Sequence, residues 1–168
     1  AAMPILQQRG LRGLTRLVLL PVNGLAMTQA CVESIERATP ATHEYVFVDN
    51  GSTDDTLEYL RSLPNARVVA NQTNLGFGAG CNQGMALARG ERILLLNNDT
   101  VVTPGWLGAL HAALDSDARA GIAGPRSNRV ADAQQFPVIG YDDEPDAAME
   151  EWTARICARR AGHRTALG

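Results

Sequence analysis

Three polar clusters in this sequence combine carboxylates, amides and glycines, the groups that bind phosphates, sugars and bases. Asp49 opens the run DNGSTDDT, a glycine-rich run NQTNLGFGAGCNQG begins at Asn71, and Asn97-Asn98-Asp99 follows an apolar run. A carboxylate can accept a ligand N–H or hold a hard cation, and an amide can bind ribose or base. Glycines let a backbone approach a ligand closely. The clusters therefore indicate a polar small-molecule site.

Asp49 closes an otherwise apolar run, where an unpaired carboxylate would be costly without a hydrogen-bond donor. A ligand N–H would be such a donor. Alternatively, Asp49 and Asn50 cap the helix that follows, through residues 52–54. Asp54 and Asp55 are assigned to the first turn of that helix, where acids complement the helix dipole. The turn alone leaves both interpretations of Asp49 open.

The glycine-rich run predicts a nucleotide site in which Asn71 and Asn74 offer amides to ribose or base. The alternative is a turn whose glycines allow tight helix packing. A dinucleotide fingerprint starting at Gly76 would need glycine at position 81, where Cys81 stands. The run also follows the third predicted strand and not the first, so a nicotinamide-dependent oxidoreductase is disfavoured.

Asp99 follows the most apolar run of the chain, so we expect its carboxylate at a sheet rim with little water around it. One protein carboxylate, together with diphosphate oxygens and waters, is a usual way to hold Mg²⁺. The sequence therefore favours Mg²⁺ or Mn²⁺ at Asp99. The alternative is an Asn-Asn-Asp-Thr turn without a ligand.

Alternating strands and helices must position these clusters. Short apolar runs predict strands, helical spacing and turn signals predict helices between them, and 121–124 is a last short apolar segment. This alternation implies an α/β fold with a parallel sheet and helices on both faces, whose ligands bind beyond the carboxyl ends of the strands. The three clusters fall at the ends of the second, third and fourth strands, and Asn23 follows the first, so we expect all four strand ends to line one crevice. The predicted strands cover 17–21, 45–48, 67–70 and 92–96, and the predicted helices cover 28–38, 54–62, the glycine-rich run up to 90, and 104–116.

The order and spacing of the clusters resemble the family 2 glycosyltransferases, in particular their rhamnosyltransferase-like branch. The resemblance covers about 17–138 and is carried by VFVDNGSTDDT at 46–56, NLGFGAGCNQGMALARGERILLLNNDT at 74–100, and 104–107 with Trp106. It implies a three-layer GT-A fold with a mostly parallel, Rossmann-like sheet and a missing C-terminal part. It also implies that Asp49 contacts the nucleobase and that Asp99 holds the metal. The other implied nucleotide-sugar-binding residues are Pro21, Asn23, Asn74, Gly76 and Asn98.

The resemblance further implies an enzyme, of the kind used in polysaccharide biosynthesis, that transfers a sugar with inversion. Its donor would be a UDP- or dTDP-sugar and its acceptor a hydroxyl of a glycan, a lipid-linked molecule or a protein. The three cysteines form no disulfide pattern, which favours a reducing compartment and hence a cytoplasmic location. Peripheral association with a membrane or with a missing C-terminal segment is a further expectation. The alternative to an enzyme is a non-catalytic module that binds a nucleotide-sugar or serves in assembly. An exposed apolar patch near Val138 and Trp152 would support this alternative.

Two departures from the family pattern weaken parts of this expectation. The segment Val22-Asn23-Gly24 lacks the usual aromatic residue, and Asn97-Asn98 stand where many members carry a further acid, so metal binding rests on one carboxylate. The general base of such enzymes lies in a later segment, so no catalytic residue is assigned here. We expect the isolated chain to bind donor and to transfer sugar poorly, because losing a general base costs roughly a hundred- to ten-thousandfold in rate.

Composition supports one globular domain and disfavours several partners. The chain has 168 residues, 45% of them hydrophobic, with a formal charge of −3 and 5% aromatics, so nucleic acid is not an expected partner. Three cysteines without a CxxC pair predict neither a disulfide framework nor a zinc site. We expect a flexible lead-in at 1–14, a core at 15–138 and an acidic connector with a helix at 139–168. Because residue 1 is Ala, we expect a processed chain or a piece of a longer one.

Overall fold

The computed structural model describes residues 14–88, 92–125, 151, 152, 154 and 155. Four strands alternate with four helices over this part of the chain, as the sequence predicts. The chain divides into two compact units, residues 1–101 and 102–168, and the first contains all four strands. The elements in chain order are β1 (Thr15–Leu19), α1 (Leu25–Ala38), β2 (His43–Asp49), α2 (Thr56–Ser62), β3 (Ala66–Ala70), α3 (Phe77–Leu87), β4 (Arg92–Leu96) and α4 (Trp106–Asp115).

The four strands form one parallel sheet in the order β3-β2-β1-β4. The chain therefore moves outward from β1 to β3 and then returns to the other side of β1 for β4. Right-handed crossovers place α1 and α2 on one face of the sheet and α3 on the opposite face, because the direction of travel reverses after β3. The expected α/β architecture with a parallel sheet and helices on both faces is confirmed.

Glycines bring α3 close to its face of the sheet. Val18 and Val46 are buried there with Ala88 at the end of α3. A methyl group added to Gly80 would lie 2.5 Å from Leu20 Cδ2, and one added to Gly84 would overlap the side chain of Val18. This confirms the helix-packing interpretation for the second half of the glycine-rich run.

We expect Gly84→Ala to lower the free energy of unfolding by about 1–3 kcal/mol, because overfilling a packed core forces the helix or Val18 to move. Gly108 in α4 is a matched control, since no described residue has an atom within 4 Å of a methyl group added there. Gly108→Ala should instead raise stability by up to about 1 kcal/mol through helix propensity. Urea denaturation of both variants measures the difference, and equal effects would contradict the close packing of α3.

The other face of the sheet packs against α1. Leu17, Leu19 and Phe47 are fully buried, and the hydroxyl of Tyr45 donates a 2.7 Å hydrogen bond to Glu36 Oε1 of α1. Burial raises the pKa of the Cys31 thiol to about 12, so this cysteine is a protonated core residue.

A buried ion pair joins the amino ends of β1 and β2. Arg16 and Glu44 are register partners, and their Nε and Oε2 atoms are 3.0 Å apart with side chains only 4% and 2% exposed. The contact is short but poorly aligned, and neither carboxylate oxygen has a hydrogen-bond partner among the described residues. The buried charge of Glu44 is therefore compensated, within the described residues, by Arg16.

Most element boundaries differ slightly from the predicted ones. β1 ends at Leu19 and not at 21, since its ladder follows the registers set by β2 and β4. Helix α1 begins at Leu25, three residues earlier than predicted, and α4 begins at Trp106 after a Pro104-Gly105 turn. The segment 121–124 has no regular secondary structure, and Ile122 is 92% exposed.

Strand β4 has the predicted bounds, but the expectation of little water around its end is wrong. It pairs only with β1 in the described sheet, and Ile93 and Leu95 are 41% and 45% exposed. Asp99, beyond its end, is also exposed. The apolar sequence of this strand indicates burial, but Ile93 and Leu95 share one face of the sheet, and that face is exposed at β4.

Several expectations lie outside the described residues. These are the lead-in up to residue 13, Val138 and nearly all of the connector, of which Glu151, Trp152, Ala154 and Arg155 are helical. No described helix is long and apolar enough to cross a membrane.

Candidate functional site

The parallel sheet brings the predicted residues to one end, where the carboxyl ends of the strands lie. Asn23 follows β1, Asp49 ends β2, Asn74 follows β3 and Asp99 follows β4, all at the carboxyl ends of the strands. Because β1 lies between β2 and β4, the strands that carry Asp49 and Asp99 are about 10 Å apart, two strand spacings. The two carboxylates therefore lie at the same end of the sheet, as the sequence predicts.

Asp49 is buried at the end of β2, with 1% of its surface exposed. Its Oδ2 accepts a 3.2 Å hydrogen bond from the Ser52 N–H, whereas Oδ1 has no partner among the described residues. Helix α2 begins only at Thr56, so Asp49 binds a turn N–H and does not cap the helix. The Oδ1 atom of Asp49 is thus a buried hydrogen-bond acceptor without a donor among the described residues.

Asn50, the next residue, is the centre of an amide network that joins three loops. Its backbone N–H donates to Pro21 O at 2.9 Å, and its Nδ2 donates to Asn74 Oδ1 at 2.9 Å and to Gly76 O at 3.3 Å. Its Oδ1 accepts from Asn71 Nδ2 at 3.1 Å and from the Leu75 N–H at 3.0 Å. Pro21, Asn74 and Gly76, all predicted site residues, therefore meet at Asn50.

Asn71 is used within the protein. Its amide pairs reciprocally with Gln83 of α3, at 2.8 Å and 3.1 Å, and it also donates to Asn50. Both Nδ2 hydrogens are thereby engaged, so this amide has no donor left to offer a ribose or a base. Asn74 is exposed, and its Oδ1 also accepts the Gly76 N–H at 2.8 Å.

Gly76 precedes α3 in a conformation with φ +84° and ψ 164°, which side-chain-bearing residues rarely adopt. No atom of the described residues lies within 4 Å of a methyl group added there. The apolar side chains on either side of it, Leu75 and Phe77, are also exposed. The first part of the glycine-rich run thus keeps room for a ligand, in contrast to Gly80 and Gly84.

Asn23 and Asp54 tie the loop after β1 to the loop after β2. Asn23 Oδ1 accepts from the Thr53 N–H at 2.7 Å, and the Asn23 N–H donates to Ser52 Oγ at 2.8 Å. Asp54 accepts from the N–H of Leu25 at 3.3 Å and from the N–H of Thr56 at 3.1 Å, the first residues of α1 and α2. Asp54 therefore binds the first N–H group of two helices, α1 and α2. The sequence predicts a role at α2 only.

The end of β4 is joined to α1. Asn98 Nδ2 donates to the buried Thr28 Oγ1 at 3.0 Å, and the backbone O of Asn97 lies 3.7 Å from the Cys31 thiol sulfur. These contacts fix the backbone that leads to Asp99. Within the described residues, no group of three or more His, Cys, Asp or Glu side chains is placed to hold a metal. Asp99 would contribute a single carboxylate, as the sequence predicts.

Described residues line open cavities at both ends of the sheet. One of about 390 Å³ lies at the start of α2, and another, of about 430 Å³, lies at the opposite end of the sheet beside His43 and Tyr45. Neither is lined by Asp49 or Asp99. The first adjoins the candidate site through Ser52, Thr53 and Asp54.

The sequence does not identify Asn50 as the centre of the site. Its only sequence signal is its place directly after Asp49 at a strand end, which is equally typical of a cap. Its contacts with residues up to 29 positions away in the chain become visible only when three loops come together.

Residues 21–162 match a family model described as glycosyl transferase family 2. A PGL/p-HBAD biosynthesis glycosyltransferase of Mycobacterium bovis (strain BCG / Pasteur 1173P2) is 34% identical over 87 residues, 49% of this chain and 34% of the relative. Glycosyltransferase GlyG of Streptococcus pneumoniae serotype 4 is 29% identical over 85 residues, 48% of this chain and 28% of GlyG. The crystal structure of S. aureus TarS 1-349 is 26% identical, with a TM-score of 0.53, over 60% of this chain and 32% of that one. The matched region spans about a third of these relatives.

Proposed function

This chain belongs to glycosyl transferase family 2, and from this premise we propose that its sheet binds the nucleotide of a UDP- or dTDP-sugar. The GT-A fold is confirmed by the parallel sheet with helices on both faces and by the likeness to TarS. The sugar would pass with inversion to a hydroxyl of a glycan, a lipid-linked molecule or a protein. This chain would supply the donor-binding half of that reaction.

The observation that carries the proposal is the unpaired, buried Oδ1 of Asp49. A buried acceptor without a donor costs about 1–3 kcal/mol, and more when it is charged. The imide N–H of uracil or thymine is a donor of the right kind for it. Because Asp49 is only 1% exposed, this N–H would reach Oδ1 through a local opening beside Asp49 that leaves residues 74–76 in place.

The metal proposal rests on the donor set at the end of β4. Asp99 is exposed and carries a carboxylate, the ligand type that Mg²⁺ and Mn²⁺ prefer. One carboxylate fits such an ion when diphosphate oxygens and waters complete its coordination. The bound metal would supply charge stabilisation to the departing diphosphate. Asn98, held by Thr28, would position Asp99 for this role.

The proposal assigns no general base to this chain. In a complete enzyme a base would take the proton of the acceptor hydroxyl as it attacks the anomeric carbon. Because the matched region spans about a third of its relatives, we place that group in a further segment of the whole protein. Donor binding without rapid transfer is therefore the expected behaviour of residues 1–168.

Calorimetric titration with UDP and dTDP, with and without Mn²⁺, tests this function. We expect metal-dependent binding by the unaltered chain, and at least a tenfold weaker affinity in Asp99→Ala because the diphosphate loses its metal. Asp117→Ala is the control, since it removes an exposed carboxylate that pairs with Arg119 and is not among the proposed ligands. Absence of nucleotide binding, or equal binding of NAD, would contradict the proposal.

A further inference from the structure

The side-chain amide of Asn50 uses its whole hydrogen-bonding capacity to hold a loop. Both Nδ2 hydrogens are donated, to Asn74 Oδ1 and Gly76 O, and both lone pairs of Oδ1 are used by Asn71 and the Leu75 N–H. The residue is 2% exposed. Three of these four bonds end on residues 74–76, the segment that leads into α3.

We propose that Asn50 is a positioning residue that holds residues 74–76 in the shape that binds the nucleotide donor. This inference rests on the proposed function and assigns to Asn50 a role that Asp49, its neighbour, does not have. Asp49 would contact the ligand, whereas Asn50 would act through the loop. Asn50 itself is covered by the residues it binds.

Apart from these bonds, the described structure holds this loop mainly through backbone contacts: the Gly80 N–H donates to Gly76 O at 3.2 Å, and Gly51 lies against the backbone of Thr73 and Asn74. Leu75 and Phe77 are 49% and 63% exposed, so their side chains add little packing. Within the part of the chain that the structure describes, no atom lies within 4 Å of a methyl group added to Gly76. An exposed segment with few apolar contacts opens easily unless hydrogen bonds restrain it. The bonds to Asn50 and the local Asn74–Gly76 bond are therefore its principal side-chain restraints among the described residues.

The contacts require an amide at position 50. A rotated amide would bring its NH₂ group against the Leu75 N–H and its oxygen against Gly76 O, two repulsive contacts, so only one orientation fits. An ionised aspartate keeps the shape but has no donor, and it would face the oxygens of Asn74 and Gly76. Asn50→Asp thus removes the donors without leaving a cavity, whereas Asn50→Ala removes every side-chain bond without adding charge.

Amide hydrogen exchange by NMR tests the inference without any ligand. In Asn50→Ala we expect the Leu75 and Gly76 N–H groups to exchange roughly ten- to a hundredfold faster, because Leu75 loses its acceptor and the Asn74 side chain that accepts the Gly76 N–H loses its support. Asn50→Asp keeps an acceptor for the Leu75 N–H, so we expect the faster exchange at Gly76 in that variant. The Phe47 N–H, in the core of the sheet, should keep its rate and so report that the variant is folded. Asn82→Ala and Asn82→Asp are the matched controls at an exposed position of α3 and should leave all three rates unchanged.

Calorimetry with UDP and Mn²⁺ then tests the link to binding. We expect Asn50→Ala to weaken binding by about tenfold, since the loop must be ordered again on binding. Unchanged exchange at Leu75 and Gly76 in a folded variant would overturn the inference, as would faster exchange with unchanged affinity. Failure of the unaltered chain to bind UDP or dTDP would instead overturn the proposed function, a result distinct from either of these.

Discussion

Glu44→Gln should lower the free energy of unfolding by about 3–5 kcal/mol, because it leaves the buried guanidinium of Arg16 without its opposite charge. Glutamine has nearly the same shape as glutamate, so the loss reports charge and not volume. The pair is almost fully buried. No hydrogen bond from a described residue stabilises the charge of Glu44 in addition to Arg16. Urea denaturation followed by circular dichroism measures the effect.

Two controls separate the buried charge from other causes. Glu58→Gln makes the same substitution at an exposed position of α2 and should change stability by no more than about 0.5 kcal/mol. The double variant Arg16→Met with Glu44→Leu should be more stable than either single variant, because an apolar pair of similar size removes both buried charges. If Glu44→Gln behaved like Glu58→Gln, the ion pair would not be buried as described.

The second large effect is expected at Gly51, in the loop after β2. Gly51 has φ +87°, and a methyl group added there would lie 2.9 Å from the backbone carbonyl carbon of Thr73. Gly51→Ala should therefore lower the free energy of unfolding by about 2–4 kcal/mol, the sum of left-handed backbone strain and overlap with a neighbouring backbone. Chemical denaturation of the purified variant provides the measurement.

Gly105→Ala is the matched control for Gly51→Ala. Gly105 has φ +84°, but none of the described atoms lies within 4 Å of a methyl group added there. This substitution should cost only the backbone strain, about 1–2 kcal/mol. The difference between the two variants measures the close approach of the loops after β2 and β3. Equal losses would show that residues 51 and 73 are not packed together in solution.

The strands and helices were largely predictable, because their signals are local. Four apolar runs predict the four strands, and helical spacing predicts α1, α2 and α4 to within a few residues. The strand ends were less predictable, since a ladder extends as far as its neighbours allow. The apolar composition of β4 was a misleading guide to burial, because composition does not show which face of the sheet is exposed.

The glycine-rich run had two interpretations, and the fold assigns one to each half. Gly80 and Gly84 let α3 approach Leu20 and Val18, which confirms helix packing, whereas Gly76 lies against open space. A sequence pattern cannot separate these roles, because both need a residue without a side chain. Only the neighbouring atoms distinguish them.

The sequence by itself determined the family, the alternation of strands and helices, and the set of polar residues at the strand ends, because each depends on residue order and local periodicity. The tertiary structure alone decided which of these residues are engaged within the protein. It buries Asp49 with one unused oxygen, makes Asn50 the centre of a loop network and leaves Asp99 exposed. These outcomes depend on hydrogen bonds between loops that are distant in the chain, and their geometry is set only when the parallel strands assemble.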